Sequence, residues 1–140
     1  MEEINCLLPI MVSQMDKDFT RNCERVLRPQ GLSKLHAFYL FCLYANLDGM
    51  KLNDITKFIG CDKANTSRAL NDLEQKGIIE KVINNDIKKK YLVKLTEMGL
   101  DICHDFICKI REQINTTFSV LTDEEYLTFV NLLKKVTMGR

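Results

Sequence analysis

Residues 50–96, MKLNDITKFIGCDKANTSRALNDLEQKGIIEKVINNDIKKKYLVKLT, leave this chain few ways to fold. They hold two short helical patterns joined by a tight turn, then two strand patterns with lysines between them. Met50 to Leu52 is short and partly apolar, which suits a single bridging strand. Asn53 is placed to cap a helix, because its side-chain oxygen can accept from the unpaired N–H groups of a first turn. Ile55, Phe58 and Ile59 recur at helical spacing and predict one buried face. Gly60 is a good stop, since glycine takes the left-handed conformation without a Cβ clash. Cys61, Asp62 and Lys63 make the turn, with Asp62 the expected cap of the next helix.

That next helix is predicted from about Lys63 to Lys76. Thr66, Leu70 and Leu73 share a face, with Ala69 beside them, and this face turns inward. Ala64, Asn65, Arg68, Asn71 and Asp72 occupy the opposite face, with Ser67 at its flank. On an isolated helix these would simply be solvated. The hairpin pattern beyond the helix gives them a use. Gly77 ends the helix and Ile78 to Ile83 reads as a strand. Asn84-Asn85-Asp86 is turn chemistry. Lys90 to Leu95 returns as a second strand, with Tyr91, Val93 and Leu95 alternating with Leu92 and Lys94. Two helices, a turn and a basic hairpin in this order describe a winged helix-turn-helix. In such a unit the N-terminal half of the second helix enters the DNA major groove. Arginine can bond guanine in bidentate fashion, and asparagine can do the same to adenine. The candidate DNA-contacting residues are therefore Lys63, Ala64, Asn65, Ser67 and Arg68 on the helix and Lys88, Lys89 and Lys90 at the hairpin tip.

The run DKANTSRALNDLEQKGIIEK, with a charged hairpin and LTEMG after it, resembles the MarR family of bacterial and archaeal transcription regulators. GLSKLHAFYLFCLYAN resembles the helix before that family's reading head, and LTDEEYLTFVNLLKKV its last, dimerising helix. The resemblance implies one mainly α domain over 1–140 with a small β-hairpin wing. Within it, 33–96 would be the winged helix, and 1–30 and 97–140 the dimerisation helices. It also implies a homodimer on a pseudo-palindromic operator in double-stranded DNA, a repressor more than an activator. Release would come from a small aromatic or lipophilic effector in a crevice beside the reading head. Candidates to line it are Met11, Met15, His36, Tyr39 and Tyr44. Another branch of the family senses peroxides through a first-helix cysteine, which here would be Cys6 or Cys23. The wing departs from the family's usual Asp-x-Arg. Ile87 and Lys89 fall at those two positions, and Asp86 comes one residue early. Lysine lacks the planar fork of arginine, so this wing should attract phosphates more than read sequence.

The ends of the chain carry long apolar stripes. Ile4, Leu7, Leu8, Met11, Met15, Phe19, Cys23, Val26 and Leu27 predict a first helix from about Ile4 to Leu27. Pro9 either sets its true beginning or kinks it. Ser33 should cap a second helix with Leu35, Phe38, Tyr39, Cys42, Leu43 and Ala45 to Leu47 mostly inward. Thr96 should cap a long helix with the stripe Leu100, Cys103, Ile107, Ile110, Ile114 and Phe118. Thr122 with Glu125 forms a capping box for a last helix bearing Tyr126, Phe129, Val130, Leu132, Leu133 and Val136. A monomer would leave much of this apolar surface in water, and a twofold dimer built from both ends would cover it.

Composition narrows the functional classes. The chain has 140 residues, 46% hydrophobic and 28% charged, and a formal charge of only +1. Affinity for DNA must therefore come from a local patch, and four lysines do fall within Lys88 to Lys94. The modest net charge also keeps open a winged helix that docks a protein rather than DNA. The acidic N-terminus and short apolar run Leu7 to Val12 do not make a secretory leader. No stretch reaches the length of a membrane span, and the expected location is the cytoplasm. The six cysteines include no Cys-x-x-Cys pair, so free thiols are expected, and no metal or other cofactor. His36 and His104 have no serine or carboxylate pattern to organise them, and the chain does not read as an enzyme.

Overall fold

The computed structural model describes residues 2–83 and 91–139. In chain order these form α1 (Glu2–Leu27), a 3-10 turn (Arg28–Gln30), α2 (Lys34–Tyr44), α3 (Leu52–Ile59), α4 (Lys63–Gln75), β1 (Ile79–Ile83), β2 (Tyr91–Leu95), α5 (Glu97–Thr117) and α6 (Asp123–Met138). The mainly helical fold with a two-stranded hairpin is the one read from the sequence. The chain divides into two compact units, Met1–Ile107 and Cys108–Arg140, with the boundary inside α5. The hairpin tip, with Lys88, Lys89 and Lys90, lies outside the described residues.

In the first unit the core is built on α2. Ala37, Tyr39, Leu40, Cys42 and Leu43 are buried along it, so it meets protein on nearly every side. Helices α1, α3 and α4 and strand β2 all pack on it. Cys23 and Leu27, Ile55, Leu70 and Leu73, Val93 and Phe106 are the buried side chains these elements and α5 bring. Phe106 stacks on Phe41 of α2 at 4.9 Å between centroids. Strands β1 and β2 pair antiparallel, from Ile79 with Leu95 to Ile83 with Tyr91. Met50 adds the expected single bridge, exchanging backbone bonds of 3.0 and 2.8 Å with Val93.

Several local expectations shift. Helix α3 begins at Leu52 with Lys51 as its N-cap, so Asn53 lies inside the first turn and caps nothing. Phe58 is 59% exposed instead of inward. At 100° per residue, Ile59 falls about 40° and Phe58 about 60° to opposite sides of Ile55. A two-turn helix buries only the narrow stripe centred on Ile55. Helix α2 ends at Tyr44, which leaves Ala45 to Leu47 exposed in the connection. Helix α1 starts at Glu2 and runs on through Pro9. Gly60 closes α3 as expected, in the left-handed region at φ 78°.

The Leu95-Thr96-x-x-Gly99 segment joins the hairpin to α5. The Thr96 N–H donates to the Ile78 carbonyl at 3.0 Å. Its hydroxyl donates to the Gly77 carbonyl at 2.6 Å and accepts from the Gly99 N–H at 3.1 Å. This brings the first turn of α5 hard against the start of β1. A Cβ on Gly99 would sit 2.0 Å from the Ile78 carbonyl oxygen, so only glycine fits.

The second unit, Cys108–Arg140, is a helical hairpin. Thr122 accepts from the Glu125 N–H at 3.1 Å, and Glu125 accepts from the Thr122 N–H at 2.9 Å. This is the capping box that the sequence announces. Phe118 packs on Tyr126 and Phe129 at 5.2 and 5.5 Å. Leu127, Leu132, Leu133 and Val136 of α6 remain exposed, as do Ile4, Leu7, Leu8, Met11 and Met15 of α1.

Gly99→Ala should lower stability by about 1–3 kcal/mol, the usual cost of overpacking a tight joint. Urea unfolding measures it. An unchanged midpoint would show that the joint has slack.

Candidate nucleic-acid interface

The N-terminal half of α4 presents a compact polar surface. Asp62 caps the helix, its Oδ1 accepting from the Asn65 N–H at 2.7 Å. Its other oxygen accepts from the Asn65 side-chain amide at 3.1 Å. That bond turns the Asn65 oxygen outward, where it accepts from the Arg68 guanidinium. Lys63, Ala64, Asn65 and Arg68 are exposed and Ser67 is half-buried at the flank. The structure thus brings together the five helical residues singled out as DNA-contacting candidates. The C-terminal half of the helix is used differently. Asn71 accepts from Lys81 at 2.9 Å, and Lys81 also lies 3.5 Å from Glu74 and over the Tyr91 ring at 5.2 Å. Lys81 therefore ties α4 to the hairpin.

The five effector candidates stand in different settings. Met11 and Met15 are 47% and 42% exposed on α1. His36 is the third residue of α2 and completes the capping box with Ser33, its Nδ1 accepting from the Ser33 N–H at 3.0 Å. Its other ring nitrogen therefore carries the proton and faces Asp72 of α4 at 3.4 Å. Tyr39 is fully buried and donates to the Thr66 hydroxyl at 3.1 Å. Burial pushes its phenol pKa up, which keeps the donor proton in place. Tyr44 meets His104 of α5 edge-on, hydroxyl to Nδ1 at 3.3 Å.

A cleft of about 380 Å³ lies along α2 and the end of α3, lined by Phe38, Phe41, Cys42, Ala45, Phe58 and Ile59. The sequence did carry a signal for it, the i, i+3, i+4, i+7 spacing of Phe38, Phe41, Cys42 and Ala45. That same spacing also describes ordinary core. The Lys34 ammonium stands 5.7 Å from the Phe38 ring centroid but is held by Asp16 at 2.8 Å.

The redox candidates separate. Cys6 is exposed on α1. Cys23 is fully buried, and burial pushes its thiol up to about 11, with smaller opposing effects from Lys34 and Glu24. A sensor needs an accessible thiolate, and Cys23 is the reverse. Burial likewise pushes Cys42 and Cys103 up to about 11. Among the described residues no three metal-ligating side chains cluster, and no helix is long and apolar enough to cross a membrane.

The fold and this surface define a winged helix-turn-helix protein with a capped, polar-faced second helix. Residues 32–90 match the model of the MarR family. The HTH-type transcriptional regulator BilQ of Clostridioides difficile (strain CD3) is 30% identical over 129 residues, covering 92% of this chain and 86% of that protein. Among solved structures, a MarR family transcriptional regulator from Rhodococcus sp. RHA1 superposes with a TM-score of 0.83 at 14% identity, covering 98% of this chain and 96% of that one. The S. aureus MepR–DNA complex superposes with a TM-score of 0.79 at 22% identity, over 95% and 98% of the two chains. The chain belongs to the MarR family of transcription regulators.

At pH 8 a thiol reagent should leave Cys23, Cys42 and Cys103 unmodified in the native protein, and label them once denaturant is added. Mass spectrometry of the digested protein reads this directly. Rapid native labelling of Cys23 would contradict its burial.

Proposed function

We propose that this protein is a homodimeric, sequence-specific DNA-binding regulator, a repressor, whose paired α4 helices read the two halves of a pseudo-palindromic operator. The observation that carries this reading is the exposed Asp62–Asn65–Arg68 surface at the capped start of α4. Its groups have the reach and geometry for base edges, and no large apolar side chain obstructs entry to a groove. The likeness to BilQ, a transcriptional regulator by name, and to MepR, solved as a DNA complex, supports it. Lys88, Lys89 and Lys90 of the wing belong to the same reading as sequence-independent phosphate contacts.

The apolar ends support the dimer. Leu7, Leu8, Met11 and Met15 of α1 and Leu132, Leu133 and Val136 of α6 are exposed in the single chain. Rows of this kind need a partner surface, and a second copy meets the need by twofold symmetry.

The cleft beside α2 is the proposed effector site. Its walls are Phe38, Phe41, Cys42, Ala45, Phe58 and Ile59, none of them charged. A carboxylate would be desolvated there without a partner. The fitting ligand is a neutral aromatic or lipophilic molecule. Binding that favours a different spacing of the two heads would release DNA by shifting the population.

The test is selection of binding sites from a random duplex library, then fluorescence anisotropy on the enriched duplex with excess competitor DNA. Arg68→Ala should cost about 1–3 kcal/mol and relax the preference at one base position. Replacing Lys88, Lys89 and Lys90 with alanine should weaken binding to every sequence and flatten its salt dependence. Equal operator affinity of Arg68→Ala and wild type would remove α4 from the reading role. No enriched sequence at all would point to a winged helix that docks a protein.

A further inference from the structure

The DNA-facing half of α4 is not anchored by apolar packing. Leu70 and Leu73, both buried, hold the helix from its middle onward. Before Leu70 the inward positions are Thr66 and Ala69 only. Thr66 is 0% exposed, and its hydroxyl is satisfied on both sides. It donates to the Asp62 carbonyl at 2.9 Å and accepts from the Tyr39 hydroxyl at 3.1 Å. Tyr39, also 0% exposed, comes from α2, the most enclosed helix of the unit.

These bonds continue outward. Asp62 takes Thr66 on its carbonyl and the Asn65 N–H and side-chain amide on its carboxylate, at 2.7 and 3.1 Å. Asn65 in turn receives the Arg68 guanidinium. A series of hydrogen bonds, joined through the covalent frame of Asp62, thus runs from a phenol in the core to the guanidinium presented to solvent. Packing alone would let the first turn of α4 roll, because a threonine methyl and an alanine offer little to grip. A hydrogen bond weakens steeply with angle, so the Tyr39 bond fixes the roll that packing leaves free.

We infer that Tyr39 is a positioning residue for DNA discrimination: its buried bond to Thr66 orients Asp62, Asn65 and Arg68 for base contact. The inference rests on the reading of α4 as the DNA-reading helix. Tyr39 touches no DNA. Its effect falls on contacts that need orientation, namely those to base edges. Contacts to phosphates are tolerant of small tilts and carry the non-specific affinity.

The experiment compares the wild type with Tyr39→Phe and with Thr66→Val, each removing the bond from one side while keeping most of the shape. Affinity is measured for the duplex enriched by the wild type and for a scrambled duplex of the same length. Loss of one oriented hydrogen bond predicts a roughly tenfold fall in operator affinity for either variant. Scrambled-duplex affinity should stay within twofold. In an Arg68→Ala background, Tyr39→Phe should have less than a twofold effect, because the reading end of the series is already gone. Amide exchange at Asn65 to Arg68 should also quicken in Tyr39→Phe. A parallel fall on both duplexes would mean that Tyr39 only supports the fold, and would overturn the inference. Unchanged discrimination in both variants would overturn it while leaving the DNA-reading role of α4 intact. Absence of any enriched duplex for the wild type would overturn that role and this inference together.

Discussion

The burial of α2 sets the position of everything in the unit Met1–Ile107. An eleven-residue helix with buried side chains on several sides cannot lie on a surface, so α1, α3, α4 and β2 assemble around it. Phe41 takes Phe106 of α5, Leu40 and Leu43 fill the centre, and Tyr39 reaches α4. Two consecutive residues of α2 do different work. Phe38 lines the apolar cleft, and Tyr39 holds the start of α4. A small rotation of α2 would therefore be felt at both places.

The joint at Thr96 adds a second constraint. Its bonds to Gly77 and Ile78, together with the missing Cβ at Gly99, fix the start of α5 against the start of β1. The hairpin and the long helix are thereby set by one residue's backbone and hydroxyl. The helix N-cap at Asp62 plays the same part for α4. At both ends a short polar side chain also accepts from a backbone N–H three residues on, Gly99 for Thr96 and Asn65 for Asp62, and that capping part of the geometry follows from local sequence.

That locality explains what could be read from the sequence and what could not. Gly60, Asp62, Ser33, Thr96 and Thr122 announce helix ends because capping chemistry involves residues three or four apart. The run from Asp62 to Lys81 with LTEMG after the hairpin, the helix before it and the last helix carried the family resemblance, and with it the mainly α, winged fold. Asn53 and Phe58 went astray because α3 starts two residues earlier than the capping signal suggested and is too short to bury a wide stripe. Phe106, absent from the stripe read along α5, is fully buried because Phe41 waits for it on another helix. The roles of His36 and Tyr39 depend on Asp72 and Thr66, 36 and 27 positions away, and no periodicity reveals such a partner. Cys23 read as a core residue more than as a sensor, and its full burial could not be seen in the pattern. The apolar ends were legible as stripes, and their exposure on the single chain is what the proposed twofold dimer answers.

Two copies of α4 reading one duplex together is the arrangement on which the proposed regulation depends, and hydroxyl-radical footprinting on the enriched duplex is its sharpest test. Two protected patches are expected on the same face of the duplex, about one helical turn or roughly 10 bp apart between centres. Native mass spectrometry of the complex should weigh two chains per duplex. A single protected half-site occupied by one chain, or uniform weak protection along the duplex, would contradict the paired reading.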